Sequence, residues 1–279
     1  MIVDAHHHFW DPSRRAYPWM GDELAPIRRR FGPEELAPLL ATSGVARTVL
    51  VQTVSSVDET REFLATAAET EFVAGVVGWV DLADPGVKEA IEGLRAGAGG
   101  NFLVGIRHQV HDELDARWLL RDDVQRGIHA VGDAGLVYDL LVKTRELPAS
   151  VELARTFPTV RFVLDHIAKP RIAAGERDLE WEHAMAPLAA CSNVSCKLSG
   201  MVTEASWTSW SPGDLLPYVS HVLDWFGPER CMFGSDWPVC LLVADYGAVL
   251  DTLKLAMKDL DRNAKDAVLA GNAIDVYRL

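Results

Sequence analysis

The chain has 279 residues, 49% of them hydrophobic and 24% charged, with a formal net charge of −13. One large core fits this length, since α/β barrels commonly run to about 250 residues as a single domain. The acidity argues against nucleic acid or an anionic membrane surface as a partner.

The longest apolar-rich stretch, FVAGVVGWVDLA, falls short of the roughly 20 residues that span a bilayer. The N-terminus does not pair a basic region with an apolar run, so no secretory signal is expected. Cys191, Cys196, Cys231 and Cys240 show no CxxC pairing. They read as buried thiols of a cytoplasmic protein rather than a disulfide framework.

Eight apolar runs follow one another along the chain: MIVDAH, RTVLVQTV, FVAGVVGWV, LVGIRH, LVYDLLV, VRFVLDH, VSCKLSG and CMFGSDW. Their near-continuous hydrophobicity is that of strands buried on both faces. Amphipathic segments lie between them. Ser56 and Glu59 form a capping-box pattern ahead of TREFLATAAET, and DPGVKEAIEGLRAG opens near Pro85 and stops at Gly97. Helical patterns also fit 123–134, 148–157, 180–190, 213–226 and 246–258. Eight strands alternating with helices predict one closed (β/α)8 TIM barrel over residues 1–279. An open doubly wound sheet would need fewer strands or a second domain, and no linker marks one. Segments 10–35 and 200–213 exceed ordinary connections and are rich in aromatics, as expected of loops that cover a site.

In such a barrel the active site lies at the C-terminal strand ends. Ionisable groups recur there: His6 and His8 on strand one, Arg107 and His108 on strand four, Asp165 and His166 on strand six, Lys197 on strand seven, and Asp236 on strand eight. Strand alternation puts His6 and His8 on one side and His7 on the other. By the same alternation Asp165 should point away from His166 and serve structure, and Asp4 should orient backbone or anchor the barrel. His111 lies just past strand four, within reach of a substrate. His129, His183 and His221 sit in helical stretches and read as surface or packing residues.

DAHHHFWD, GIRHQVHDE, FVLDHIAKP, CKLSGM and MFGSDWPVC together resemble the amidohydrolase superfamily, in its amidohydrolase-2 branch, and within that the lactonase group acting on L-fucono- and L-rhamnono-lactones. The resemblance runs from Ile2 to about Leu279. It implies that His6 and His8 match the strand-one HxH of the family, His166 its strand-six histidine and Asp236 its strand-eight aspartate. Arg107 and His108 match the strand-four motif and Lys197 the strand-seven lysine. Strand five lacks the histidine, and strand four the lysine, that many binuclear relatives use. The implied cofactor is therefore one divalent ion of the Zn²⁺ type held by His6, His8, His166 and Asp236, or none.

The resemblance implies hydrolysis of a small sugar lactone. Asp236 would activate water, the histidines would stabilise the developing oxyanion, and Arg107 and Lys197 would supply fixed positive charge. His108 would orient a sugar hydroxyl, and Trp10, Trp19 and Trp237 would face the ring, with Trp207 and Trp210 as further loop aromatics. A metal-dependent decarboxylase and a non-catalytic sugar-binding barrel stay open as alternatives. Homo-oligomerisation is compatible with the sequence.

Overall fold

The structure, a computed structural model, describes residues 1–279. Eight parallel strands stand in chain order: β1 (Ile2–His7), β2 (Val45–Val51), β3 (Val73–Gly78), β4 (Leu103–Gln109), β5 (Val137–Leu141), β6 (Phe162–Leu164), β7 (Val194–Leu198) and β8 (Cys231–Phe233). The segment after β8 completes the ring. Asp236 N donates to His6 O at 2.8 Å and His8 N to Trp237 O at 2.7 Å. Gly234 makes this closure feasible, because a Cβ there would lie 2.7 Å from the His6 Cβ. The result is the expected (β/α)8 barrel.

Helices Pro33–Ser43, Val57–Glu69, Val87–Ala96, Asp122–Asp133, Leu147–Thr156, Leu179–Ala189, Pro212–Phe226 and Tyr246–Ala256 fill the crossovers. Their ends follow local chemistry. Ser56 accepts from Glu59 N, as the capping pattern requires. The Glu59 carboxylate, however, reaches back past the cap to Thr53 N and Val54 N, and so ties the helix to the end of β2.

The side chains separate into two apolar bodies. A large one lies between strands and helices. A smaller one fills the barrel interior, with Val3, Ala5, Val49, Val51, Val77, Val137, Val163 and Met232 from the strands and Ala270, Ala273 and Tyr277 from the C-terminal helical segment. That segment plugs the N-terminal end of the barrel.

Strand β1 contains one irregularity that matters for the site. Val3 and Ala5 point inward, so strict alternation would send His7 inward and His6 outward. Pairing with β2 shifts register between Asp4 and His7. This bulge resets the phase. His6 and His8 then face the interior, and His7 turns outward to bond Thr48 Oγ1 at 2.8 Å. No helix of the protein is long and apolar enough to cross a membrane. All four cysteines are free and buried.

Candidate active site

Above the apolar plug the interior becomes ionic. Lys197 is fully buried, with Nζ 2.6 Å from Asp139 Oδ2, 2.9 Å from Asp165 Oδ1 and 3.3 Å from His6 Nδ1. Tyr277 donates to the Asp139 carboxylate at 2.8 Å. Arg107 Nη1 donates to Asp165 Oδ2 at 2.9 Å, and its other nitrogen binds the Gln52 backbone and side-chain oxygens. Two carboxylates thus meet two basic side chains, which is how a low-dielectric interior tolerates such a cluster. Burial, with the Asp165 charge beside it, raises the Asp139 carboxyl to about 6 even against the pull of Lys197.

The next layer carries the converging donors. His6 Nε2 and His8 Nε2 are 3.2 Å apart, and Asp236 Oδ1 lies 3.4 Å from His8 Nε2, 3.8 Å from His6 Nε2 and 3.9 Å from His166 Nε2. His6, His166 and Asp236 offer ligand atoms all within 4.8 Å of one another. Ligand atoms around a four-coordinate zinc sit about 3.3 Å apart for bonds of about 2.0–2.1 Å, so the spacing suits one ion.

The outer contacts agree with that reading. His8 Nδ1 faces the Val51 carbonyl at 2.7 Å, an acceptor only, so Nδ1 donates there and Nε2 is the nitrogen turned inward. His166 Nδ1 pairs with Ser199 Oγ at 2.9 Å. Burial lowers His166 to about 4 and His6 well below its usual value, which leaves both neutral. Asp236, by contrast, is held well below the usual carboxylate range: burial opposes ionisation, but the facing His166, His8 and His6 outweigh it.

Unusual backbone aims these side chains. His166, Ile167, Ala168 and Lys169 all adopt left-handed conformations, with φ of 53°, 47°, 60° and 52°. Such geometry costs L-residues roughly 1–2 kcal/mol each. It is held by the Trp181 Nε1 donation to Ile167 O at 2.6 Å and by full burial of Ile167 and Ala168. Pro170 also bars the right-handed helical region to Lys169. Gly200 is required here, since a Cβ would collide with the His166 ring. Asp236 also has positive φ, and its neighbour Ser235 is pinned by Asp4, which accepts from Ser235 N at 2.8 Å, Ser235 Oγ at 2.6 Å and Tyr246 Oη at 2.9 Å. Asp4 thus anchors the closure of the barrel.

A cavity of about 170 Å³ opens above this cluster, lined by His8, Arg107, His166 and Asp236 below and by Trp19, His111, Asp112 and Lys169 at the wall. Its size suits one small ring rather than a polymer, being under the roughly 300–1,000 Å³ of drug-sized pockets.

Several expected positions are placed elsewhere. Lys197 lies beneath the cavity, buried against Asp139, Asp165 and His6, and does not line it. Trp237 is buried between Phe9 and Phe31, and Trp10 is buried with Nε1 on Ile27 O; neither lines the cavity, because both serve the packing of segment 10–35. Trp207 and Trp210 donate to Thr203 O and Val243 O outside it. His108 lines an adjoining groove, stacked on Trp118 and paired with Glu113 at 2.8 Å.

Asp165 overturns the alternation argument. Asp165 continues the inward phase of Val163, and the left-handed turn that begins at His166 brings that side chain inward as well. Asp139 and Lys169 were not singled out in the sequence. A lone carboxylate in a strand buried on both faces demands a buried cation, and that signal points to Lys197.

Comparison with known proteins identifies the family. Residues 3–279 match the amidohydrolase family. The chain belongs to the amidohydrolase family. It is thus an enzyme of hydrolytic type. A relative from Burkholderia ambifaria named L-fucono-1,5-lactonase is 43% identical, with 99% of this chain and 95% of the relative covered. A second protein of that name, from Burkholderia multivorans, is 37% identical, with 99% and 96% covered. The crystal structure of a Burkholderia multivorans amidohydrolase with bound zinc superposes with a TM-score of 0.94 at 36% identity, covering 100% of this chain and 99% of that one.

Proposed function

We propose that this protein hydrolyses a small sugar-derived 1,5-lactone of the L-fucono-1,5-lactone type. The observation that carries the reading is the 43% identity, over 99% of this chain, with a protein named for that activity. The small polar cavity over His6, His8, His166 and Asp236 is consistent with it.

Water attacks the lactone carbonyl carbon while Asp236 takes its proton. Negative charge moves to the carbonyl oxygen, where the Arg107 guanidinium faces it. The ring C–O bond then breaks, and the proton held by Asp236 passes to the departing alkoxide, leaving a hydroxy acid. His6, His8, His166 and Asp236 would hold one divalent ion, and such an ion would supply Lewis acidity toward the carbonyl. Lys197, Asp165 and Asp139 keep His6 oriented from below and do not touch substrate.

A pH-indicator screen of aldono-1,5-lactones, L-fucono-1,5-lactone among them, tests the reading. It is run beside an assay for CO₂ release from aromatic acids, with elemental analysis and chelator treatment. Lactone turnover with at most one metal per chain is expected. Decarboxylation without lactone turnover would favour the decarboxylase alternative, and two metal equivalents would contradict the donor set described above.

A further inference from the structure

Three cavity-lining side chains carry a buried polar atom without a partner: Trp19 Nε1, Arg107 Nε and His111 Nδ1. Two are donors. His111 Nε2 lies 3.3 Å from the Asp112 carboxylate, an acceptor that favours the ring proton on Nε2 and hence a lone pair on the unpartnered Nδ1. Burial, with the Lys169 charge as the next cause, lowers His111 to about 3 and keeps it neutral. Lys169 lines the same cavity from the left-handed turn. Glu204 binds only part of its ammonium, at 2.7 Å, leaving further N–H donors. The wall thus offers a cationic donor and an unsatisfied neutral acceptor, neither used by the hydrolytic steps above. An alcohol O–H satisfies both, since its oxygen accepts while its hydrogen is donated. A bare methylene satisfies neither and leaves His111 Nδ1 unpaired.

We infer that Lys169 and His111 form a hydroxyl-reading pair that selects sugar lactones bearing a secondary hydroxyl at one ring position over the corresponding deoxy compounds. The inference rests on the lactonase reading and gives it a specificity determinant. The strained turn acquires a purpose from it: one backbone device aims His166 at the Asp236 cluster and Lys169 at the ring substituent.

The test measures kcat/KM for an aldono-1,5-lactone and for its analogues lacking the C2, C3 or C4 hydroxyl in turn. Parent protein, Lys169→Met, His111→Phe, Lys169→Arg and Asp236→Asn are compared, with melting temperatures to establish that each is folded. The parent should discriminate against one analogue by at least about tenfold, the scale of a lost hydrogen bond in a buried site. Lys169→Met and His111→Phe should each abolish discrimination at that same position, and Lys169→Arg, which keeps a donor, should retain part of it. Asp236→Asn should slow all the lactones by one factor. Variants that slow every lactone equally, or that alter different positions, would overturn the pair while leaving the lactonase reading intact. Absence of any lactone turnover by the parent would overturn both.

Discussion

At its N-terminal end the barrel interior is filled by Val3, Ala5, Val49, Val51, Val77, Val137, Val163 and Met232 and stoppered by Tyr277. A few residues further along the same strands it holds His6, Arg107, Asp139 and Lys197, with His8, Asp165, His166 and Asp236 just beyond the strand ends. Apolar packing at the lower end is satisfied locally and needs only volume and shape. Each polar group at the upper end must find a partner on another strand, so every substitution there is felt across the ring. Tyr277 joins the two, with its ring in the plug and its hydroxyl on Asp139.

The contrast is broken most severely at Lys197. Lys197→Met should leave Asp139 and Asp165 without their shared cation and cost on the order of 3–5 kcal/mol of stability, read by denaturant unfolding. If the variant were as stable as the parent, the ionic layer would not be the coupled unit described. Second in size is the split along β1. Alanine at His6 or His8 should reduce turnover by about a hundredfold or more, whereas alanine at His7 should chiefly lower the melting temperature. Loss of activity at His7 with unchanged melting would contradict the bulge that separates the three.

A smaller effect comes from acid. Burial and the neighbouring His8 lower His7 to about 3. Between that value and its ordinary 6.5 the unfolded chain binds the extra proton, so stability is present above pH 6.5 and is lost as pH falls toward 3. Up to about 5 kcal/mol is at stake at this residue. Melting curves from pH 7 to 4 should show a steeper acid loss for the parent than for His7→Gln. Equal slopes would mean that the proton uptake lies elsewhere.

Much of this was legible in the sequence. Eight apolar runs and the helices between them gave the barrel, and helix ends fell within a residue or two of their patterns, because caps and amphipathic faces are local. Pairing His6 with His8 against His7 also follows from local alternation. What escaped is set by long-range geometry: the bulge that chooses which face looks inward, and the left-handed turn that brings His166 in beside Asp165. Trp237 and Trp10 show the same limit from the other side. Composition marks them as able to face a sugar ring, but only the fold of segment 10–35 reveals that they pack against Phe9, Phe31 and Ile27. Lys169 was hidden because its direction depends on backbone that Pro170 constrains and Trp181 holds.

The central claim is that Asp236, set among His6, His8 and His166, moves the proton in lactone hydrolysis. Turnover of L-fucono-1,5-lactone by the parent and by Asp236→Asn, each verified as folded by melting, tests it most directly. General-base help is worth about 10²–10⁴ in rate, so kcat should fall by at least about a hundredfold in the variant. A folded Asp236→Asn protein that opens the lactone at near the parental rate would contradict the account.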